Sequence, residues 1–114
     1  MNQLVSTEWL EKNIKTVKIL DASWHLPNVN RDSFEEYKLN HIPNSIFFDI
    51  DKNSNQETSL PHMLPTKQSW ENIVSNLGIN NSNHVVIYDN SDVFSSCRVW
   101  YTFLYFGHNP KLVS

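Results

Sequence analysis

A chain of 114 residues has room for one domain, and a net charge of −3 with a pI near 5.9 argues against nucleic acid or an anionic membrane as its main partner. Hydrophobic residues make up 39% of the chain, enough for one core, yet no apolar run approaches the about 20 residues that span a bilayer. A single cysteine excludes an internal disulfide and makes a reducing, cytoplasmic compartment the default, and the start MNQLVSTEWLEKN lacks a secretory leader's cationic and apolar segments.

Ser6 is placed to cap a short helix with Glu8 in its first turn and Trp9, Leu10 and Ile14 as its apolar side. Val17 to Leu20 reads as a strand running into Asp21-Ala22-Ser23-Trp24, followed by a loop at Pro27. Asp32-Ser33-Phe34-Glu35 opens like a capping box on a helix that carries Phe34, Tyr37 and Leu39. His41 to Asn44 is a turn, Ser45 to Phe48 a short strand ending in Asp49-Ile50-Asp51, and Lys52 to Pro61 a polar, exposed loop. Thr66 caps the next helix, in which Trp70, Ile73, Val74 and Leu77 fall at i, i+3, i+4 and i+7 and Gly78 is the terminator.

His84 to Tyr88 is an apolar, β-branched run suited to a central parallel strand covered on both faces. Asp89 to Phe94 follows as a loop, and then a helix that Ser95 or Ser96 can cap. Val99, Trp100, Phe103 and Phe106 recur on this helix, Gly107 ends it, and Lys111 to Val113 reads as the opening of another strand. Alternating strands and helices predict an α/β fold, a mostly parallel central sheet flanked by helices. In such sheets ligands sit at the carboxyl ends of strands, so the Asp89 to Phe94 loop is the first place to look for a site.

Four chemistries can be weighed residue by residue. Asp49-Ile50-Asp51 resembles the strand-end D-x-D of haloacid-dehalogenase-like phosphatases, but Asn53 stands where that pattern needs Thr or Val. Asp49, Asp51, Asn53, Asn55 and Glu57 imitate a calcium loop, yet Ser54 and Leu60 occupy the places of its glycine and its bidentate glutamate. His25, His41, His62, His84 and His108 have no metal-ligand spacing, so no metal is expected; His62 stands out for its setting in Leu60-Pro-His-Met-Leu-Pro65. Cys97 lies about a turn inside its helix beside Arg98, and the expectation is a buried, inert thiol.

Several segments then line up in one order: Val5-Ser-Thr-Glu-Trp-Leu10, Leu20-Asp-Ala-Ser-Trp24, Arg31-Asp32, His41-Ile-Pro43, Phe47-Phe-Asp-Ile-Asp51, Pro61-His-Met-Leu-Pro65, Val86-Ile-Tyr-Asp89, Arg98-Val-Trp100 and Phe106-Gly-His108. Together they closely resemble the N-terminal half of the thiosulfate/3-mercaptopyruvate sulfurtransferases, the two-domain rhodanese family. The resemblance covers essentially the whole chain. It implies that residues 1–114 form a non-catalytic rhodanese-like domain, incomplete at its C-terminus, whose partner is a second, catalytic domain of the same protein. That absent domain would supply a cysteine that takes sulfane sulfur from thiosulfate or 3-mercaptopyruvate as a persulfide and passes it to a thiophilic acceptor.

On the family's template the nucleophile's place is held here by Asp89, which cannot form a persulfide, and the loop adds Asp92 and no glycine. No catalytic residue is therefore expected in this chain. Asp51 and His62 match a pair that assists 3-mercaptopyruvate chemistry as orienting or proton-relay groups, and Trp24 matches an aromatic of the cleft. The resemblance implies a small-molecule sulfur donor and no cofactor, nucleic acid or membrane; a mitochondrial-type compartment remains open beside the cytoplasmic default. A free-standing, non-catalytic binding module is the alternative of a different class.

Overall fold

Three parallel strands set the frame: β1 (Lys18–Asp21), β2 (Ser45–Phe47) and β3 (Val85–Tyr88), in the order β2-β1-β3. They belong to a computed structural model that describes residues 4–26, 29–54, 64–91 and 95–114. In register, Ile19 faces Ser45 and Val86, while Leu20 faces Ile46 and Ile87. Of the three named strands β1 is the middle one, and β3 is also paired on both sides, with β1 on one and the Val113–Ser114 segment on the other, as expected of a central strand at His84 to Tyr88.

Alternate residues along the sheet feed two cores. Leu20, Ala22 and Val85 point to one face, where helix α3 (Lys67–Asn76) and helix α4 (Ser95–Tyr105) bring Trp70, Val99 and Phe103. The Trp70 ring meets Phe103 edge-on at 4.9 Å and stacks on Phe106 at 5.2 Å. Burying one such aromatic contributes about 1.5–3 kcal/mol. Ile19 and Val86 point to the other face, against Leu10 of helix α1 (Thr7–Asn13) with Trp9 and Ile14 packed around them. Helix α2 (Ser33–Leu39) lies beside β2, with Phe34 and Tyr37 against Phe47, and buries none of its residues fully.

The helix ends follow the sequence closely. Ser6 accepts the Trp9 N–H, Asp32 accepts those of Phe34 and Glu35, and Thr66 accepts that of Ser69. Glu35, the other member of the expected box, pairs with Lys38 at 2.9 Å. Both glycines take positive φ, 75° at Gly78 and 92° at Gly107. Each closes its helix with the same pair of bonds: Ile79 N–H to Val74 C=O with Gly78 N–H to Ser75 C=O, and His108 N–H to Phe103 C=O with Gly107 N–H to Leu104 C=O.

Two expectations change. The segment read as an opening strand is a 3-10 turn over Pro110–Leu112, and pairing begins only at Val113, which bridges Val85 in parallel. The Asn109 side chain, which accepts the Lys111 N–H, and the proline at the first position of the turn favour that tighter start. Cys97 is exposed instead of buried. The buried side of α4 is Ser95, Val99, Thr102 and Phe103, and Cys97 falls two residues before Val99, away from that side. No helix among the described residues is long and apolar enough to cross a membrane.

Candidate functional site

The carboxyl ends of the three strands deliver the site. β1 runs on into Ala22, Ser23, Trp24 and His25; β2 into Phe48, Asp49, Ile50 and Asp51; β3 into Asp89, Asn90 and Ser91. Backbone bonds carry the sheet past its named ends, Ala22 N–H to Tyr88 C=O and Phe48 N–H to Asp21 C=O, each 2.8 Å. The three segments therefore leave the sheet side by side.

Two of the expected residues meet. The Trp24 indole N–H donates to the Asp51 carboxylate at 3.1 Å, across 27 residues of sequence. Trp24 is half-buried against the α3–α4 core and Asp51 is exposed, so the pair presents an acceptor carboxylate to solvent from a packed base. The Asp49-Ile50-Asp51 segment closes into a turn in which Asp49 accepts the Lys52 N–H at 3.0 Å. His62 lies outside the described residues, as do Asp92 and the rest of the loop as far as Phe94.

Asp89 is the third. By resemblance it holds the place of a nucleophile, and the sequence offers Ser95 or Ser96 as the cap of the helix. Instead the Asp89 carboxylate itself meets the start of α4: one oxygen accepts the Ser96 N–H at 2.7 Å, and the other accepts the Ser91 N–H and hydroxyl at 3.1 Å each. The Ser95 hydroxyl, buried, is bonded to that of Ser91 at 2.7 Å. Burial by itself pushes the Asp89 carboxyl up, but the hydrogen bonds from Ser96 and Ser91 outweigh it and hold the group below the usual carboxylate range. Asp89 is a helix-end anion whose lone pairs are already in use.

Around these residues the structure adds partners that the sequence pattern did not single out for a role. The Ser23 hydroxyl accepts the Asn90 N–H at 2.7 Å, and Asp21, buried, accepts the Ser23 N–H at 3.0 Å. The His25 ring, its side chain only 4% exposed, lies 2.8 Å from Glu36, which Arg31 also grips through two nitrogens at 2.9 and 3.1 Å. The Arg31 hydrogen bond first, and that of His25 second, hold the Glu36 carboxyl below its ordinary value. Arg31 also donates to the Asn90 carbonyl at 3.2 Å. The sequence traces of this network are Asp21 and Ser23 in Leu20-Asp-Ala-Ser-Trp24 and the Arg31-Asp32 pair, all within the resemblance.

Beside it lies a cavity of about 360 Å³ whose lining includes Asp21, Ser23, Glu36, Tyr37, Leu39 and Tyr88. Burial, the largest influence, raises the Tyr88 phenol above its ordinary value and keeps it a neutral donor and acceptor. The four described histidines are each hydrogen-bonded, His25 to Glu36, His41 to the Tyr37 carbonyl, His84 to Ser114 and His108 to the Asn83 carbonyl. Among the described residues no group of three or more His, Cys, Asp or Glu is arranged to hold a metal ion.

Comparison with known proteins gives a consistent picture. The family profile described as Rhodanese-like domain matches residues 6–114. The chain is 48% identical over 112 residues to thiosulfate/3-mercaptopyruvate sulfurtransferase 1, mitochondrial, of Arabidopsis thaliana, covering 96% of this chain and 30% of that protein. It is 41% identical over 114 residues to the 3-mercaptopyruvate sulfurtransferase of Rattus norvegicus, covering 93% and 38%. The crystal structure of SseA from Escherichia coli, described as a 3-mercaptopyruvate sulfotransferase, superposes with a TM-score of 0.86 at 33% identity, over 96% of this chain and 43% of that one. The chain thus spans about a third of the length of the curated relatives it matches.

Proposed function

The chain belongs to the rhodanese-like domain family, and from that premise we propose that it is the N-terminal, non-catalytic half of a sulfurtransferase. In this reading a second domain of the same protein carries the cysteine that receives sulfane sulfur from thiosulfate or 3-mercaptopyruvate, and this chain forms one wall of the shared cleft. The observation that carries it is Asp89. The residue at the carboxyl end of β3, at the start of α4, is a carboxylate engaged by Ser91 and Ser96. A persulfide needs a thiolate to attack the donor's outer sulfur, and a carboxylate offers none. Cys97 does not replace it, because it lies eight residues past Asp89, on the exposed side of α4.

Trp24 and Asp51 are this chain's contribution to the cleft, with His62 as Asp51's partner by resemblance. The indole orients one Asp51 oxygen, and the exposed carboxylate faces the side from which the opposite wall would approach. Such a group orients a thiol-bearing substrate or relays its proton beside the reacting sulfur. No cofactor enters the scheme.

The test is to assay the 114-residue chain and, separately, the longer protein encoded by the reading frame that contains it. With thiosulfate and cyanide, thiocyanate and sulfite should form in the longer protein and not with the chain alone; with 3-mercaptopyruvate, pyruvate should be released. Thiocyanate formation by the 114-residue chain, lost on Cys97→Ser, would overturn the reading.

A further inference from the structure

The segments that deliver Trp24 and Asp89 are tied into a closed circuit of hydrogen bonds. On one side Ser23 holds the Asn90 N–H. On the other His25 lies against Glu36, Glu36 is gripped by Arg31, and Arg31 returns to the Asn90 carbonyl. Trp24 is the single residue between the two ends of the circuit, Ser23 and His25. Arg31 is its closing member, since one guanidinium engages a carboxylate through two nitrogens and still donates to a carbonyl. A lysine ammonium would supply the charge without the planar fork.

We propose that Arg31 is a positioning residue for the Trp24–Asp51 pair: by holding Glu36 and the Asn90 carbonyl together, it fixes the Ser23 to His25 segment from which the indole reaches the Asp51 carboxylate. The positioning rests on geometry alone. Its bearing on catalysis rests on the reading of Trp24 and Asp51 as a cleft wall.

The experiment follows the four indole N–H signals of the ¹⁵N-labelled 114-residue chain by NMR, with Trp24 assigned through Trp24→Phe. Asp51→Asn should shift the Trp24 signal by weakening its acceptor. Arg31→Gln should shift it in the same direction over most of that distance, and so should Arg31→Lys, while Trp9, Trp70 and Trp100 stay in place and report an intact fold. If Arg31→Gln disturbs all four signals, Glu36→Gln, which cuts the same circuit at its other member, supplies the comparison. A Trp24 signal unmoved in both variants, with the other three unmoved, overturns the proposal.

The same substitutions in the longer enzyme separate the two readings. Arg31→Gln and Asp51→Asn combined should lower turnover no further than the more damaging single change, because both act on one pair. A shifted indole with unchanged turnover removes the cleft reading and supports Arg31's positioning role. An unmoved indole with reduced turnover does the reverse.

Discussion

The Asp89 carboxylate accepts the Ser96 N–H at 2.7 Å, so the residue that follows β3 closes the first turn of α4 from seven residues upstream. Its second oxygen is taken by Ser91. Loss of a capping carboxylate costs about 1 kcal/mol, so Asp89→Ala should lower Tm by about 5 °C in a domain of this size. Thermal unfolding followed by circular dichroism measures it. An unchanged Tm would mean that α4 starts without its help.

The acid limb gives the same residue a second test. Asp89 binds its proton less readily folded than unfolded, so its contribution is complete above the unfolded carboxyl's pKa, near 3.9. It is lost as pH falls through the folded value. The stability gap between wild type and Asp89→Asn, measured in urea, should be constant above about pH 5 and shrink below about pH 4.

His84 works at a higher pH. Burial first, and the neighbouring His108 second, hold its imidazole below the ordinary value, while Trp9 packs on its ring at 5.2 Å and Ser114 bonds its Nε2. The folded chain therefore takes up this proton less readily than the unfolded chain. Stability from this group is full above about pH 6.5 and declines as pH falls from there towards the folded value. His84→Gln should flatten urea stability between about pH 6.5 and pH 5, and a directly observed His84 proton titration should have its midpoint below 6.5.

Gly107 offers a backbone test free of packing. A Cβ built there meets nothing within 4 Å, yet φ is 92°. Gly107→Ala should cost about 1 kcal/mol, from the left-handed conformation alone, and Gly107→Asn less, because Asn tolerates that region better. In contrast, Phe103→Ala empties the α3–α4 core, where Phe103 is fully buried, and should cost about 3–5 kcal/mol.

In the two-domain sulfurtransferase proposed above, Asp51→Ala should reduce kcat with 3-mercaptopyruvate by about a hundredfold, the lower end of what a positioned proton-transfer group contributes. Steady-state kinetics with both donors checks it, and the loss should be smaller with thiosulfate, which has no proton to relay.

What was legible in the sequence was what is local. Ser6, Asp32, Thr66, Gly78 and Gly107 each act on N–H or C=O groups within a turn of themselves, and each sits where its residue type placed it. The resemblance supplied the fold and named Trp24 and Asp51, whose contact spans 27 residues and has no signature in spacing. The rest depended on what covers what. Periodicity placed Phe34 and Leu39 on a helix but not under anything, and they are 47% and 80% exposed. Cys97 was misjudged for the same reason, since an aromatic-rich neighbourhood in sequence does not choose a helix face. The capping role of Asp89 was hidden because the two serines nearer the helix looked sufficient.

Helix α2 fastens to the body by a short set of contacts: the Tyr37 hydroxyl to the Ser45 carbonyl at 2.6 Å, the Phe34–Phe47 ring contact, and Glu36 to His25 and Arg31. With no fully buried residue of its own, it can detach while both cores stay closed. Amide hydrogen exchange over Ser33–Leu39 should then report an opening well below the global unfolding free energy, and a protease should nick near Lys38 before the rest of the chain yields. The part of the molecule that braces the Trp24 segment is thus also the part that lets go first.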